Sequence, residues 1–367
     1  MKHLISLLAF SFLIGCDGEK SNEPTNPNLK YKIEGDTVTI TGYDKKVSGE
    51  LIIPAIIKGK PVTKIGDEAF RDCTSLTSIT IPDSVTSIGG GAFYRCSSLT
   101  SITIPDSVTS IGVSAFAFCE SLTSIAIPDS VTSIGSGAFY GTSLTTIQVG
   151  AENVNYADVN GVLFNPEKNF LHTYPAGKTG ANYVIPDSVT SIGDEAFRGC
   201  SSLMSIKIPD SVTSIGSSAF FGCPSLTSIT IPDGVTSIGN YAFYRCSSLT
   251  SITIGKGVTS IGGSAFCLCE SITSITIPDG VTSIGDEAFL RCTSLTSIKI
   301  PDSVNSIGEK AFLNCTNLSA VTFLGDAPKI GANAFKESSP TIYREADAKG
   351  WGDTLAGRPV KLITEKP

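Results

Sequence analysis

The distribution of apolar and polar positions repeats along most of this chain with a period of 23 residues. Each copy keeps the same apolar slots, which in residues 104–126 are Ile104, Val108, Ile111, Ala115, Phe116, Cys119, Leu122 and Ile125. Copies start at Ile81, Ile104, Ile127, Ile185, Ile208, Ile231, Ile254, Ile277 and Ile300, and the copy from Ile127 lacks one residue near Thr142. With irregular units at Ile53 and Val149 and a degenerate one at Phe323, the chain holds about 12 units.

The slots within one copy predict two extended segments and a turn. The run Leu99–Ile104 ends in alternating apolar and hydroxyl residues, as a half-buried strand does. Pro105 ends this strand because proline cannot donate to a β-ladder. Val108–Ile111 predicts a second short extended segment, and residues 115–119 (Ala-Phe-x-x-Cys) have the spacing of one helical turn. Because one copy cannot bury its apolar side chains alone, we expect the copies to stack around a continuous core.

Three parts of the chain depart from the period. Residues 149–184 form an irregular unit, in which residues 161–174 predict a β-hairpin that bulges from the array. Both ends of a stack expose apolar core and unpaired strand edges, so we expect caps. The predicted segments are 31–52, an N-terminal capping hairpin; 53–148, repeats; 149–184, the irregular repeat with its hairpin insertion; 185–340, repeats; and 341–367, a C-terminal cap with the single tryptophan, Trp351.

The first fifteen residues have the pattern of a targeting segment. A basic start is followed by the apolar run Leu4–Ile14, which is shorter than the roughly 20 residues that span a bilayer and indicates a secretory signal. Its ending, Leu-Ile-Gly-Cys16, resembles the lipobox of bacterial lipoproteins. This resemblance implies that residues 1–15 are removed and that Cys16 carries lipid; an ordinary signal with an incidental cysteine is the alternative. Residues 16–30 predict a flexible tether, and we expect an exported protein, anchored to a bacterial membrane at the outer surface.

The repeated motif LTSITIPDSVTSIGxxAFxxCxS is similar to the BspA-like (Treponema pallidum-type) class of leucine-rich repeat. The resemblance covers about residues 53–345. It implies a repeat β-solenoid of the α/β leucine-rich type: a right-handed curved array with one parallel sheet, short helical turns and about 12 units of 23 residues. It also implies a surface protein of bacteria that binds host or neighbouring-cell components.

Charge and motif content exclude several classes of function. A formal net charge of −7 and a pI near 5.0 have the wrong sign for a protein whose affinity depends on phosphate contacts, so no nucleic-acid partner is expected. The sequence has no G-x-S-x-G, P-loop or H-E-x-x-H motif. His172, in the insertion, is expected to be a surface histidine rather than a catalytic base. We therefore predict no enzyme activity and no cofactor, and we expect a monomer.

Nine cysteines occupy the same slot of their units: Cys73, Cys96, Cys119, Cys200, Cys223, Cys246, Cys269, Cys292 and Cys315. Parallel side chains in one column have poor disulfide geometry, so buried structural thiols are expected, with some pairing or a metal site as alternatives. Cys267 breaks the column and is expected to be a semi-exposed thiol. Aspartates such as Asp233 and Asp279 also recur once per unit. They could bind calcium, but an Asp in such a turn usually bonds nearby backbone, and no second acidic residue completes the site.

The strand face is the most informative surface of the predicted array. Inward Ile102 and Ile104 leave Ser101 and Thr103 pointing outward. The same outward columns form a candidate ligand face: Ser78, Thr80, Ser101, Thr103, Lys207, Ser228, Thr230, Ser251, Thr253, Ser274, Thr276 and Lys299. Variable aromatic and arginine residues of the turns are candidate edge contacts: Tyr94, Arg95, Phe221, Tyr244, Arg245 and Arg291. The columns either form a solvated face that favours strand formation, or bind a ligand through weak contacts that add.

Two hypotheses about function follow. The first is a non-enzymatic adhesion or ligand-binding protein, whose partner is an extracellular protein or glycan and whose only membrane contact is the lipid anchor. The alternative is a solenoid that binds ice or another crystal lattice, because flat columns of Ser and Thr can match an ordered surface. Lys207 and Lys299 interrupt the threonine column, and leucine-rich arrays bend, so both features argue against a lattice.

Overall fold

The computed structural model describes residues 28–43 and 48–365. This part of the chain is a β-solenoid of about 13 turns of about 23 residues, which confirms the predicted repeat fold. The predicted signal segment 1–15, Cys16 and the tether up to residue 27 lie outside the described residues. Within the described ranges the only helical element is the 3₁₀-helix Ile363–Glu365. No helix in these ranges is long and apolar enough to span a membrane.

The first strand of most units pairs in parallel with the same strand one coil later. The pairing is interrupted after Ser101–Ile102, after Thr146–Val149 and after Ser251–Thr253. Ser228, Ile229 and Thr230, for example, lie opposite the Ser251, Ile252 and Thr253 of the next coil. Each isoleucine points into the core and each hydroxyl residue points outward, because side chains alternate along a strand. We call this surface the LTSIT face. Its strands are Gly49–Ile52, Leu76–Thr80, Ser101–Ile102, Ser124–Ile127, Thr146–Val149, Asn182–Val184, Ser205–Lys207, Ser228–Thr230, Ser251–Thr253, Ser274–Thr276, Ser297–Ile300, Ala320–Phe323 and Thr341–Arg344.

The second extended segment of each unit forms another set of parallel strands, the TSIG face. Its strands are Lys60–Ile65, Ser87–Ile88, Ser110–Ile111, Ser133–Ile134, Ser191–Ile192, Ser214–Ile215, Ser237–Ile238, Ser260–Ile261, Ser283–Ile284, Ser306–Ile307 and Lys329–Ile330. Ser260 and Ile261 pair with Ser283 and Ile284 of the next coil. The prediction of one parallel sheet is therefore wrong. A turn after the first strand, closed in one unit by the bond from Val281 N–H to Pro278 O at 3.0 Å, separates the two faces.

The predicted helical turn is also wrong, because residues 89–96 and their equivalents use their amides differently from a helix. The N–H groups of Gly91, Phe93 and Arg95 donate to carbonyls of the next coil at 2.7–2.9 Å. The intervening N–H groups of Ala92, Tyr94 and Cys96 close three-residue-spaced turns within their own coil. Gly91 and Arg95 have φ of 58° and 60°, and such left-handed residues are incompatible with an α-helix. We call these segments the AF turns.

The phenylalanine of each AF turn forms a continuous column of rings inside the solenoid. Phe243 is fully buried and stacks on Phe220 and Phe266, with ring centroids 5.1 and 5.4 Å apart and planes within 5°. The column runs from Phe70 to Phe139 in the first half of the chain. Tyr174 starts it again in the second half by stacking on Phe197. Burial of these large apolar rings supplies much of the driving force for stacking.

Residues 149–184 divide the core into two clusters instead of carrying a protruding hairpin. They contain three antiparallel strands: Ala157–Val159, Val162–Phe164 and Phe170–Thr173. The middle strand is fully buried, with Leu163 packed in the N-terminal cluster and its neighbours Val162 and Phe164 packed in the C-terminal cluster. The predicted hairpin forms, since Val162–Phe164 pairs antiparallel with Phe170–Thr173. Only the prediction that it bulges from the array is wrong, because its apolar strand seals both halves of the solenoid.

Each end of the stack has its own covering strands. At the N-terminal end, Leu29–Glu34 and Thr37–Tyr43 form an antiparallel hairpin, and the second strand pairs in parallel with Lys60–Ile65. The short strand Ile56–Ile57 also pairs with Lys60–Ile65. The N-terminal edge of the TSIG face is thus covered by a hairpin whose outer strand is mostly exposed and carries lysines, a composition that discourages further pairing.

The C-terminal end extends the LTSIT face. Arg358–Leu362 pairs in parallel with Thr341–Arg344, and Thr354–Leu355 pairs antiparallel with Arg358–Leu362. The half-buried ring of Trp351 packs edge-on against Phe323 at 5.1 Å, and its Nε1–H donates to the carbonyl of Gly325. The apolar end of the LTSIT face is therefore covered by the chain itself.

Candidate functional site

The structure places the candidate ligand face on the exposed side of the LTSIT strands. Every residue of this set is exposed except Ser78, which is half-buried. The Ser and Thr positions lie in register from coil to coil, as in the pairs Ser78–Ser101 and Thr230–Thr253. Within the described part of the chain, none of these serine and threonine hydroxyls donates a hydrogen bond to another residue, so they face solvent.

A neighbouring column of threonines behaves differently. Thr250 Oγ1 donates to the carbonyl of Thr227 at 3.1 Å, and Thr296 Oγ1 donates to Thr273 at 3.2 Å. These hydroxyls join successive coils and are occupied by the fold. The serine of the Pro-Asp-Ser step does the same, since Ser107 Oγ donates to the carbonyl of Val85. The repeat therefore separates structural hydroxyls from hydroxyls that are free for a ligand.

Two lysines flank the longest threonine row. Lys207 lies on the strand that precedes Thr230, and Lys299 lies opposite Thr276 on the strand that follows it. The row Lys207–Thr230–Thr253–Thr276–Lys299 thus has five positions on five successive coils. With strands about 4.8 Å apart, its two ammonium-bearing ends are about 19 Å apart. We call this set the KTTTK row.

The predicted edge residues lie on the AF turns, and two pairs of them are in contact. The guanidinium of Arg95 lies 5.4 Å from the ring of Tyr94, and Phe221 stacks on Tyr244 at 4.7 Å. Arg245 lines a surface cavity of about 430 Å³ together with Phe221, whereas Arg291 is exposed on a later turn. The aromatic faces that a ligand could stack on are therefore partly covered by neighbouring side chains.

Sequence reasoning missed one member of this edge. Arg198 lies with its guanidinium 3.7 Å from the ring centroid of Tyr140 and 4.5 Å from that of Phe221, and it forms a 2.6 Å ion pair with Glu195. Tyr140 belongs to the first half of the solenoid and Phe221 to the second, so Arg198 spans the irregular unit. The irregular length of that unit hid this contact, because the 23-residue register does not continue across it.

The cysteine column is a column of hydrogen-bond donors. All ten cysteines of the described residues are free and buried. Cys246 Sγ lies 3.2 Å from the carbonyl of Phe220, 26 residues earlier, and Cys315 Sγ lies 3.1 Å from that of Phe289. Burial raises the pKa of Cys315 to about 12 and holds that thiol protonated. Ser338 occupies the same slot, and its Oγ donates to the carbonyl of Phe312, so the slot needs a small donor and not sulfur as such.

Two predictions about single residues are wrong. Cys267 is 2% exposed instead of semi-exposed, because Tyr244 and Leu290, which are larger, occupy the same slot on either side of its coil. His172 is half-buried and not a fully exposed surface histidine. Its Nε2 lies 3.3 Å from the carbonyl of Ile134, and burial lowers the pKa of its imidazole.

Side chains around His172 satisfy backbone hydrogen-bonding groups at the edge of the first half of the TSIG face. Ile134 is in the last strand of the TSIG face before the irregular unit, and its N–H donates to the hydroxyl of Tyr156 at 2.8 Å. Its carbonyl accepts from Nε2 of His172, so the proton lies on that nitrogen, and Nδ1 accepts from the hydroxyl of Thr173 at 2.8 Å. Side chains here replace the backbone partners that the next coil would supply.

The aspartate column serves the backbone. Asp233 Oδ1 accepts from the N–H of Lys256 at 2.9 Å, and Asp129 Oδ1 accepts from the N–H of Glu152 at 3.0 Å. A second acidic slot acts in the same way, since Asp286 Oδ1 accepts from the N–H of Glu309. Among the residues that the structure describes, no group of three or more His, Cys, Asp or Glu side chains could hold a metal ion.

Comparisons with known proteins agree with this geometry. The sequence pattern of the BspA-type leucine-rich repeat region matches residues 50–161, 177–294 and 282–343. A leucine-rich repeat protein from Eubacterium ventriosum is 27% identical over 90% of this chain and 97% of its own, with a TM-score of 0.69. A leucine-rich cell surface protein from Faecalibacterium prausnitzii is 31% identical over 82% of this chain and 94% of its own, with a TM-score of 0.42.

More distant similarity extends to the pneumococcal vaccine antigen PcpA. That structure is 20% identical, covers 88% of this chain and 93% of its own, and has a TM-score of 0.54, which supports the fold alone. A comparison with curated protein sequences gave no match. The repeat motif, the two parallel faces and the matched residues lead to one conclusion: the chain belongs to the BspA-type leucine-rich repeat family.

Proposed function

We propose that this protein is a non-enzymatic adhesion or ligand-binding protein of the bacterial surface, which binds an extracellular protein or glycan through its LTSIT face. The observation that carries the proposal is that this face has two kinds of hydroxyl, one exposed and without a partner in the fold, and one bonded to the backbone of the neighbouring coil. Free hydroxyls lie in register on successive coils, and the neighbouring Thr250-type hydroxyls are used by the fold. A ligand with a repeated donor or acceptor pattern would meet one such contact per coil, and weak contacts add when they are linked.

The KTTTK row is the part of this face that we propose binds most strongly. Its ends present positive charge in a protein whose formal net charge is −7, so a ligand with anionic groups would be favoured at this row over the rest of the surface. Between the lysines, Thr230, Thr253 and Thr276 offer hydroxyls that both donate and accept. The partner that fits is an extended chain, either a glycan or a polypeptide, that lies across the strands.

Anchoring at Cys16 would hold this surface outside the membrane. The lipobox-like ending and the polar segment after it support this part of the proposal. The tether of residues 16–30 would separate the solenoid from the bilayer, so the LTSIT face could reach a ligand on another cell.

The test is capture from an array of immobilised extracellular-matrix proteins and surface glycans. The parent is compared with a variant that carries Thr230→Gln, Thr253→Gln and Thr276→Gln, which places long side chains on the LTSIT face. The matched control carries Ser237→Gln, Ser260→Gln and Ser283→Gln on the TSIG face. We expect the LTSIT variant to lose capture of the ligand and the control to keep it. If the control loses capture and the LTSIT variant keeps it, the ligand binds the TSIG face and the proposal is wrong.

A lattice-binding role makes a separate prediction. The in-register hydroxyls of the LTSIT face are the observation that favours it. The lysines of the KTTTK row would hold an ice or crystal surface away from the threonines, so we expect no thermal hysteresis from the purified protein. Hysteresis that the Thr253→Gln change abolishes would replace the adhesion proposal with this one.

A further inference from the structure

The AF turns carry a row of backbone amides that point along the axis of the stack. In the last complete pair of coils, the N–H groups of Lys310, Phe312 and Asn314 donate to carbonyls of residues 332, 334 and 336 at 2.8–2.9 Å. The same three bonds recur between most successive coils. Each coil therefore presents three donors that the next coil satisfies.

The final AF turn, residues 331–338, has no following coil. The C-terminal strands extend the LTSIT face, and none of the described strands pairs with this turn on its outer side. Within the described residues, the N–H groups of Asn333, Phe335 and Glu337 have no acceptor. Asn333 and Glu337 have φ of 58° and 57°, as in the inner coils, so their amides keep the inner coils' direction. Three parallel unpaired amides form a site of positive partial charge.

Two basic side chains stand beside this row. Lys336 and Arg358 line a cavity of about 400 Å³ that also contains Asn333 and Phe335. Arg358 Nη2 donates to the carbonyl of Phe335 at 2.8 Å, which fixes the guanidinium against the turn. Its Nε is buried and has no partner. A buried guanidinium N–H without an acceptor is costly, and an anion in the cavity could satisfy it.

The irregular unit offers an internal precedent for such an anion. The AF turn of residues 135–142 also lacks a following coil, and the amides of Gly137, Phe139 and Gly141 have no backbone acceptor among the described residues. There the carboxylate of Glu195 lies against Gly137, in the space that a β-carbon would need. Arg198 holds this carboxylate through the 2.6 Å ion pair. In this open AF turn a carboxylate therefore lies beside the turn and pairs with Nη1 of an arginine, while no hydrogen bond joins it to the three amides and Arg198 Nε has no partner.

We propose that the open AF turn at the C-terminal end, with the amides of Asn333, Phe335 and Glu337 and the side chains of Lys336 and Arg358, binds a carboxylate group supplied by a ligand. The site has the arginine and the amides of the internal example, and it lacks only the carboxylate. It is separate from the LTSIT face and does not depend on the function proposed for that face. A sugar acid or an acidic side chain can supply the group.

The test follows the backbone amide resonances of the full chain while carboxylates are added at constant ionic strength. The probes are glucuronate, which represents a sugar acid, and N-acetylglutamate, which represents an acidic residue; inorganic phosphate is the comparison anion. We expect saturable shifts at Asn333, Phe335 and Glu337 with at least one carboxylate. The probe that binds more tightly shows whether a sugar acid or an acidic residue supplies the carboxylate. Shifts that do not saturate, or tighter binding of phosphate than of either carboxylate, would overturn the assignment.

Variants separate this site from general attraction to positive charge. Lys336→Gln, at an exposed position, should weaken binding of the carboxylate at least fivefold while the fold is kept. Arg358→Gln should weaken this binding further. Lys256→Gln removes the same charge on an exposed turn far along the chain and should leave affinity unchanged. Equal losses from Lys336→Gln and Lys256→Gln would mean that only overall charge attracts the anion, and the proposed site would be wrong.

Discussion

Truncation of Phe243 to alanine should destabilise the solenoid more than any surface change in the same region. The ring is fully buried and stacks on Phe220 and Phe266 on both sides. Loss of a buried phenylalanine costs about 3–5 kcal/mol through lost burial and a cavity. Each stacked ring pair is worth about 0.5–1.5 kcal/mol beyond its area. With two such pairs lost, we expect a decrease in the free energy of unfolding near the top of that range, about 4–5 kcal/mol.

Two variants measured beside it define the comparison. Phe335, the last ring of the column, stacks only on Phe312 at 5.3 Å, so Phe335→Ala should cost about 1 kcal/mol less. Thr253 is exposed on the LTSIT face, and Thr253→Ala should cost only a few tenths of a kcal/mol, as surface changes do. Urea unfolding followed by far-ultraviolet circular dichroism gives all three values. Equal losses for Phe243→Ala and Thr253→Ala would show that the inward and outward faces are wrongly assigned.

Three further predictions concern the thiols, the histidine and the anchor. The column cysteines should resist a thiol reagent in the folded protein and react after denaturation; Cys246→Ser should keep more stability than Cys246→Ala, because only serine can donate to the carbonyl of Phe220, and the reverse order would contradict the donor role. His172 has a folded pKa below its usual value of about 6.5, so its contribution is complete above pH 6.5 and is lost as the pH falls toward the folded pKa. Unfolding free energy should therefore decrease between pH 7 and pH 5.5, and His172→Gln should flatten this slope; an unchanged slope would mean that other groups cause it. Cys16→Ser should move the protein from the membrane fraction to the soluble fraction without changing its circular dichroism, and continued partition into detergent would exclude a lipid at Cys16.

The regular part of the fold could be predicted because one sequence pattern is repeated many times. Fixed apolar slots place Ile229 inward and Thr230 outward in a single unit, and each copy repeats the same information. Parallel stacking then follows from the need to bury those slots. The outward columns of the candidate ligand face could be read in the same way.

The AF turns could not be predicted from spacing alone. Residues 115–119 have helical spacing, but Ser114 and Phe118 adopt left-handed conformations with φ of 54° and 60°. Their N–H groups pair with the next coil, at Ser136 O and Tyr140 O. Bonds between coils decide this geometry, and a pattern within one coil does not contain them. The donor role of the cysteines was hidden for the same reason, since each partner carbonyl lies 26 residues away.

The irregular unit was the other failure, and its cause is the loss of periodicity. The run Val162–Phe164 is one arm of a hairpin, as turn residues around it suggest, but the sequence does not show that this arm is buried in the core. Only the three-dimensional structure shows that each half of the solenoid ends here and must be sealed. Tyr156, His172 and Arg198 gain their roles from that interruption, and none of them belongs to a repeated slot.

The additivity of contacts along the KTTTK row is the most direct test of repetitive binding by the LTSIT face. Dissociation constants for the captured ligand would be measured for Thr253→Val alone, then with Thr230→Val added, then with Thr276→Val added, because valine keeps the shape of threonine without its hydroxyl. If each threonine contributes one contact of about 1 kcal/mol, each step should weaken binding by about fivefold, and the three together by about a hundredfold. A complete loss at the first step would indicate a single pocket, and a total change below twofold would show that the ligand binds elsewhere; either result would contradict the account.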